Sequence, residues 1–137
     1  MTTTIIADDH DIVRRGLRGI LESTGACKIV AEASDGLAAA QLTEKHRPGL
    51  LILDLNMPRL HGLEVLRQVK SDVNLKTIPV VVLTSSREEQ DLLRTYDLGV
   101  NAYVVKPVSF PEFVQAVKVL GGFWAVINEP PPLPARP

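Results

Sequence analysis

Short runs of consecutive aliphatic residues alternate along this chain with longer segments whose apolar residues recur every three or four positions. The continuous runs predict buried parallel strands, and the spaced ones predict amphipathic helices. The strand-like runs cover residues 4–7, 28–33, 50–53, 79–83 and 102–105. Five such alternations predict an α/β fold, with a doubly wound parallel sheet covered by helices on both faces.

The spaced segments predict five helices. The first runs from Ile12 to Leu21 and ends before Gly25, with Arg14, Arg15 and Arg18 on the side opposite its apolar face. That apolar face comprises Ile12, Val13, Leu17, Ile20 and Leu21. The later helices are expected from the Ser34-Asp35-Gly36 turn to His46, from Gly62 to Lys70 with Leu63, Leu66 and Val69 buried, from the Thr84-Ser85-Ser86 caps to Gly99, and from Ser109 to Leu120.

Polar residues stand where four of the strands end. Asp54 ends the third run, and Asp8 and Asp9 end the first, while Thr84 and Lys106 end the fourth and fifth. Right-handed crossovers and the strand order common for this element pattern, 2-1-3-4-5, place strands one and three side by side. We therefore expect the three carboxylates to converge at the carboxyl edge of the sheet.

This group of side chains suggests a site for a cation and a phosphoryl group. Neighbouring carboxylates repel one another, which favours a bound cation or a shared proton, and oxygen ligands suit Mg²⁺. Asp54 would be the nucleophile, Lys106 would offset developing charge, and Thr84 would donate a hydrogen bond to the phosphate. Simpler roles are helix caps for the acids and a surface position for the lysine, but they do not explain three acids beside one lysine.

Composition narrows the class of protein. A chain of 137 residues fits one domain, and a net charge of −1 argues against a nucleic-acid binder. The one cysteine, Cys27, cannot form an internal disulfide, which favours a reducing cytoplasm. No apolar stretch predicts a membrane helix, and the N-terminus lacks the features of a signal peptide. His10 and Asp11 extend the acidic motif and suggest a transition-metal site as an alternative. They are interpreted instead as solvated residues of a first helical turn, with Asp11 favouring the helix N-terminus.

The ordered motifs at the strand ends resemble the receiver domain of two-component response regulators over roughly residues 3–122. They are Asp8-Asp9, Asp54 with Asn56-Met57-Pro58 and Gly62, Thr84, and Lys106-Pro107. The resemblance implies a flavodoxin-like sheet and transfer of a phosphoryl group from a histidine kinase to Asp54. It also implies that Asp9, Asp54 and the main-chain carbonyl of Asn56 hold Mg²⁺ directly, with Asp8 acting largely through water.

The same resemblance implies a conformational switch, and it implies which reactions the chain carries out. Tyr103 matches the aromatic residue that turns inward when Thr84 moves toward the phosphate, and Lys106-Pro107 would be a cis peptide. The chain would be a phosphoacceptor signalling domain, with self-phosphorylation and self-dephosphorylation only, and not a conventional enzyme. Ser85 departs from the small Ala or Gly usual in the family, which puts the kinetics of phosphorylation in doubt.

The two ends of the sequence suggest how the receiver domain passes on its signal. The segment from Ile5 to Leu17 is similar to the start of LuxR-type DNA-binding regulators, whereas Phe123-Trp124 and the following prolines are similar to single-domain regulators that partner phytochrome-type kinases. We expect a receiver domain over 1–122 and an aromatic, Pro-rich extension over 123–137. A homodimer would use this extension with the fourth helix, fifth strand and fifth helix, without direct contact to nucleic acid.

Three other interpretations were weighed. The chain could be the receiver part of a truncated DNA-binding regulator. A haloacid-dehalogenase-type phosphohydrolase also uses an aspartate after an apolar strand, but it needs a second aspartate where this chain has Asn56. A flavodoxin-like flavin carrier would need a Ser/Thr-rich phosphate loop after the first strand, where this chain has Asp8 and Asp9.

Overall fold

The computed structural model describes residues 2–23, 25, 27–84 and 102–105. Its strands and helices are β1 (Thr2–Ala7), α1 (Asp11–Ser23), β2 (Cys27–Ala33), α2 (Gly36–His46), β3 (Leu50–Asp54), α3 (Gly62–Ser71), β4 (Val80–Thr84) and β5 (Ala102–Val105). The predicted helices that end at Gly99 and at Leu120, the Lys106-Pro107 peptide and the segment 123–137 lie outside the described residues.

The five strands form one parallel sheet in the order β2-β1-β3-β4-β5. This confirms the strand order expected from the sequence. Ala7 is paired with Leu53 across β1 and β3, and Asp54 is paired with Leu83 across β3 and β4. The carboxyl ends of the three central strands are therefore level, so the residues that follow them meet at one edge of the sheet.

Alternate residues of β3 enter two separate cores, one on each face of the sheet. Leu51 and Leu53 join the cluster that includes Val65 and Leu66 of α3 and residues of α2. Leu50 and Ile52 join the cluster that includes Leu17 and Leu21 of α1. All five residues of β3 are buried, as expected for a central parallel strand covered on both sides.

Most predicted boundaries agree with the structure to within one or two residues, but one predicted core residue is wrong. Ile12 is 74% exposed, whereas Leu17 and Leu21 are buried. Ile12 lies five positions before Leu17 and is therefore rotated by about 140° around the helix from it. In α3 the sequence analysis missed Val65, which is fully buried, while Leu63 is only partly buried.

Side chains define where α2 and α3 begin. The Asp35 carboxylate accepts a hydrogen bond from the Ala38 backbone N–H, as an N-cap does. The His61 imidazole Nδ1 accepts one from the Leu63 backbone N–H at 3.1 Å. These caps fix the amino ends of two helices that pack on the same face of the sheet.

Gly62 allows the chain to fold back against the end of β3. A Cβ atom at this position would lie 2.4 Å from the main-chain oxygen of Asp54 and 2.6 Å from the Cα of Leu55. The Gly62 N–H donates to the Leu55 carbonyl at 2.9 Å. The start of α3 therefore lies directly beside the carboxyl end of β3. Within the described part of the chain, no helix is long and apolar enough to span a membrane.

Candidate functional site

Asp54 is a buried acid at the end of a buried strand. Its residue is 1% exposed, and its Oδ1 accepts a hydrogen bond from the Asn56 backbone N–H at 3.3 Å. The Leu55 N–H still donates to the Leu83 carbonyl, so pairing with β4 continues one residue beyond Asp54. The position of the carboxylate is therefore fixed by the sheet on one side and by the turn at Asn56 on the other.

Asp8 and Asp9 follow β1 at the same edge. The Asp8 N–H donates to the Ala33 carbonyl at 3.0 Å, which extends the pairing of β1 with β2. The Asp8 side chain is fully buried, whereas that of Asp9 is 31% exposed. One acid therefore faces the interior of the site and the other faces its opening.

Four side chains converge at this edge: one ligand atom each from Asp8, Asp9, His10 and Asp54 lie within 4.8 Å of one another. The structure thus brings together the three carboxylates, as the strand order led us to expect. Their role as metal ligands stays a prediction. Three negative groups this close favour a cation among them, because each otherwise raises the cost of ionising the others.

His10 is a functional candidate that the sequence alone led us to set aside. It was interpreted as a solvated residue, and its side chain is indeed 63% exposed, but Nδ1 lies 3.1 Å from Oδ1 of both Asp8 and Asp9. Its backbone N–H also donates to Asp8 Oδ1 at 2.8 Å. The signal available in the sequence was its position directly after the acid pair, which keeps its side chain near both acids.

Arg14 connects the loop that holds the acids to the neighbouring strand. Its guanidinium donates to the main-chain oxygen of Asp8 at 2.6 Å and to Glu32 at 3.2 Å, and it also pairs with Asp11. The sequence places Arg14 on the side of α1 opposite its apolar face, and the structure shows that its side chain is nevertheless only 15% exposed. A three-way contact to the acid loop, the helix start and β2 holds this mostly buried cation in place.

The loop between β3 and α3 contacts the start of α2. The Gly36 N–H donates to the Pro58 carbonyl at 3.2 Å, and the Leu60 N–H donates to the same oxygen at 2.8 Å. Arg59 adopts a positive φ of 71°, and its guanidinium lies 3.8 Å from Asp35 Oδ2. Asn56 is exposed at the beginning of this loop, next to Asp54.

The remaining predicted site residues lie toward the other edge of the sheet. Thr84 is paired with Val105 across β4 and β5, and Tyr103 is paired with Val82. The backbone of Thr84 is thus at the carboxyl end of the strand next to β3. Lys106 directly follows Val105 in the sequence but lies outside the described residues, as do Ser85 and Ser86.

Comparisons with known proteins show which family this sequence is similar to. The response regulator receiver domain family matches residues 4–118. The polar-differentiation response regulator DivK of Brucella anthropi is 33% identical over 85% of this chain and 93% of its own length. The response regulator Rcp1 of Synechocystis sp. is 33% identical over 88% of this chain and 86% of its own length.

Solved structures give the same result. The crystal structure of the Mn²⁺-bound form of Rcp1 has a TM-score of 0.87 and 32% identity, with 98% of this chain and 100% of that one covered. The phosphorylated cyanobacterial phytochrome response regulator RcpA has a TM-score of 0.85 and 34% identity, with coverage of 98% and 99%. The chain therefore belongs to the response regulator receiver domain family, and its function is that of a phosphoacceptor in two-component signalling.

Proposed function

We propose that Asp54 is the phosphoacceptor and that it receives the phosphoryl group from the phosphohistidine of a sensor histidine kinase. The observation that supports this most directly is the buried position of Asp54 at the end of β3, within 4.8 Å of the carboxylates of Asp8 and Asp9. A carboxylate oxygen of Asp54 would attack phosphorus while the phosphorus–nitrogen bond of the donor breaks. The product is an acyl phosphate on Asp54.

The acidic cluster fits a divalent cation, and we propose that the cation is Mg²⁺. Asp9, Asp54 and the main-chain carbonyl of Asn56 would hold it directly, and Asp8 would act largely through water. The donor set is rich in oxygen, which suits a hard ion that also takes phosphate oxygens as ligands. The Mn²⁺ found in the structure of Rcp1 supports a divalent site in this fold. When bound, the cation neutralises charge on the transferring phosphoryl group.

Residues on the β4 and β5 side would respond to the phosphoryl group. Lys106 would pair with a phosphoryl oxygen as a point charge, and the Thr84 hydroxyl would donate a hydrogen bond to another. Tyr103 would turn inward as Thr84 moves, which biases a two-state surface toward its active form. Self-dephosphorylation, by water attack on the acyl phosphate, would return the domain to its resting state.

We further propose that this cytoplasmic receiver domain, residues 1–122, signals by contact with proteins and not by direct binding to nucleic acid. Its kinase would be of the phytochrome type, which is supported by the similarity to the phytochrome response regulator RcpA. A homodimer would form through the helix after β4, strand β5, the last helix and the extension 123–137.

Intact-mass analysis after incubation with acetyl phosphate tests the acceptor. The wild-type chain should gain one phosphoryl group in the presence of Mg²⁺ and none after chelation, because the metal offsets charge on the donor. Asp54→Asn should gain none. Asp35→Asn is the matched control, since it changes an acid that caps α2 outside the cluster and asparagine caps equally well. Equal modification of Asp54→Asn and wild type would remove Asp54 from its role.

Light scattering tests the dimer. The full chain should have twice the mass of its protomer after phosphorylation, whereas a chain ending at Gly122 should remain monomeric because it lacks the extension. Equal masses for the two chains under both conditions would contradict the proposed role of 123–137.

Lys106→Ala should still bind the metal but should not dimerise when phosphorylated, because the charge that pairs with the phosphoryl group is gone.

A further inference from the structure

We propose that the imidazole of His10 is a direct ligand of the divalent ion in this site and that it shifts the preference of the site from Mg²⁺ toward transition-metal ions such as Mn²⁺ and Co²⁺. The inference rests on the proposed function, in which the neighbouring carboxylates hold a divalent ion. It goes beyond that function because it adds a nitrogen ligand to a set of oxygens and thereby names the class of metal.

The distances fit a single ion. His10 Nδ1 lies 3.1 Å from Asp9 Oδ1, which is proposed as a direct ligand, and 3.1 Å from Asp8 Oδ1, which would reach the ion through water. Two adjacent ligands of an octahedral ion with bonds of about 2.1 Å lie about 3.0 Å apart, and opposite ligands lie about 4.2 Å apart. The four ligand atoms of the cluster span at most 4.8 Å. Ligands at these separations would need only small shifts to share one ion.

The backbone of His10 is held on both sides by hydrogen bonds, and its ring lies 3.1 Å from the two acids with 63% of the side chain exposed. Its N–H donates to Asp8 Oδ1 at 2.8 Å, and its carbonyl accepts from the Arg14 N–H at 3.0 Å, where α1 begins. Arg14 in turn donates to the main-chain oxygen of Asp8 at 2.6 Å. The short chain between Asp8 and α1 is therefore closed by three hydrogen bonds around His10.

The nitrogen ligand has a chemical consequence. Mg²⁺ binds oxygen and dehydrates reluctantly, whereas imidazole suits the first-row transition ions, whose affinities rise from Mn²⁺ through Co²⁺ to Cu²⁺. To act as a ligand, His10 would bind through the lone pair of Nδ1 with its proton on Nε2. With the oxygens of Asp9 and Asp54 on the same ion, the site would accept Mg²⁺ but favour Mn²⁺ and Co²⁺.

Isothermal titration calorimetry on the full chain measures the selectivity. Wild type should bind Mn²⁺ and Co²⁺ at least about tenfold more tightly than Mg²⁺, a step typical of a ligand or its supporting partner. His10→Asn places a neutral oxygen near the position of Nδ1 and keeps a residue that suits a helix start. It should lose most of the Mn²⁺ and Co²⁺ affinity gain while Mg²⁺ affinity changes by less than about threefold.

His46→Ala is the matched control, because it removes an exposed histidine at the end of α2, away from the acids. It should bind all three ions as wild type does. Pulsed electron paramagnetic resonance of the Mn²⁺ complex supplies an independent readout: a coordinated imidazole gives nitrogen modulation of the electron spin echo. The modulation should be present in wild type and His46→Ala and absent in His10→Asn.

The outcomes separate this inference from the proposed function. Binding of Mg²⁺ and Mn²⁺ with similar affinity and without nitrogen modulation would overturn the role of His10, leave the carboxylate site intact, and mean that the 3.1 Å contacts are hydrogen bonds only. Failure of wild type to bind any of the three ions would overturn both. Loss of selectivity in His46→Ala equal to that in His10→Asn would also overturn the assignment.

Discussion

Leu17 and Ile12 are large aliphatic residues of one helix in opposite environments. Leu17 belongs to the same core cluster as Ile6 and Ile52 and is 1% exposed, whereas Ile12 is 74% exposed. Burial of a leucine side chain removes apolar area from water and adds close packing, while a side chain left in water contributes neither. The two positions should therefore differ sharply in their tolerance of truncation.

Leu17→Ala should lower the free energy of unfolding by about 2–5 kcal/mol, because it loses buried area and leaves a cavity. Ile12→Ala should change it by less than about 1 kcal/mol, since the side chain is exposed and alanine is the better helix former. Urea unfolding followed by circular dichroism measures both. Equal losses in the two variants would contradict the packing of α1.

Asp54 is buried near two further acids, so its negative charge is unfavourable in the folded chain when no cation is bound. Asp54→Asn removes one of three converging negative charges, so the metal-free chain should become more stable by about 1 kcal/mol. Excess Mg²⁺ should stabilise wild type by mass action but leave Asp54→Asn almost unchanged. Thermal unfolding with and without Mg²⁺ checks both effects, and equal stabilisation of the two proteins by Mg²⁺ would count against the site.

At the scale of elements, the β3–α3 connection depends on the absence of a side chain at Gly62. The start of α3 lies against the backbone of Asp54 and Leu55, and main-chain atoms cannot move aside as a flexible side chain can. Gly19 offers the contrast within α1, since nothing lies within 4 Å of a Cβ built there. Gly19 lies inside α1, whereas Gly62 is the first residue of α3, so the gain in helix propensity from alanine applies mainly at Gly19.

Gly62→Ala should therefore lower the free energy of unfolding by more than about 2 kcal/mol and weaken phosphorylation, because the end of β3 must shift. Gly19→Ala should raise it by about 0.5–1 kcal/mol through helix propensity alone. Chemical unfolding and the rate of modification by acetyl phosphate measure the pair. A destabilised Gly19→Ala or a fully active, stable Gly62→Ala would contradict the described geometry.

Strands and helices could be predicted from the sequence where the pattern that indicates them lies within one segment. The run at β3 and its terminal Asp54 follow from local sequence, and the order of strands follows from right-handed crossovers together with the order common for this pattern of elements. The burial of Arg14 and the contacts of His10 with the acids could not be predicted from the sequence. Both result from contacts between segments, which helix periodicity does not reveal. Arg14 is buried by the Asp8 carbonyl and by Glu32 on β2, and His10 is turned toward two acids by the start of α1.

At the scale of the whole molecule, two ionisable side chains outside the site affect the free energy of unfolding at alkaline pH. As pH rises, one of them lowers it and the other raises it. Burial raises the pKa of the Cys27 thiol above its ordinary value of 9.0, so the stability it contributes is present below pH 9.0 and is lost as pH rises through its folded-state pKa. Burial lowers the pKa of Lys70 below 10.5, because the charged ammonium is less well solvated in the folded chain. The free-energy cost of burying that charge is therefore removed as pH rises and Lys70 loses its proton.

Cys27→Ala isolates the thiol, because Lys70 is present in both proteins. The difference in unfolding free energy between wild type and Cys27→Ala should shrink above pH 9.0, by at most about 1.4 kcal/mol per pH unit. It should be constant between pH 6 and pH 8, where the thiol keeps its proton in both states. Urea titrations over this range check the trend, and a difference that grows above pH 9.0 would contradict burial of Cys27.

The Pro58 carbonyl accepts hydrogen bonds from both Gly36 and Leu60, and Gly62 closes against the main chain of Leu55. The loop that follows Asp54 is thus held by hydrogen bonds to α2 on one side and to the end of its own strand on the other. If Asp54 gains a phosphoryl group as proposed, these hydrogen bonds leave little room for movement on that side of the strand. We therefore expect the conformational response to appear on the side of the sheet that carries β4 and β5.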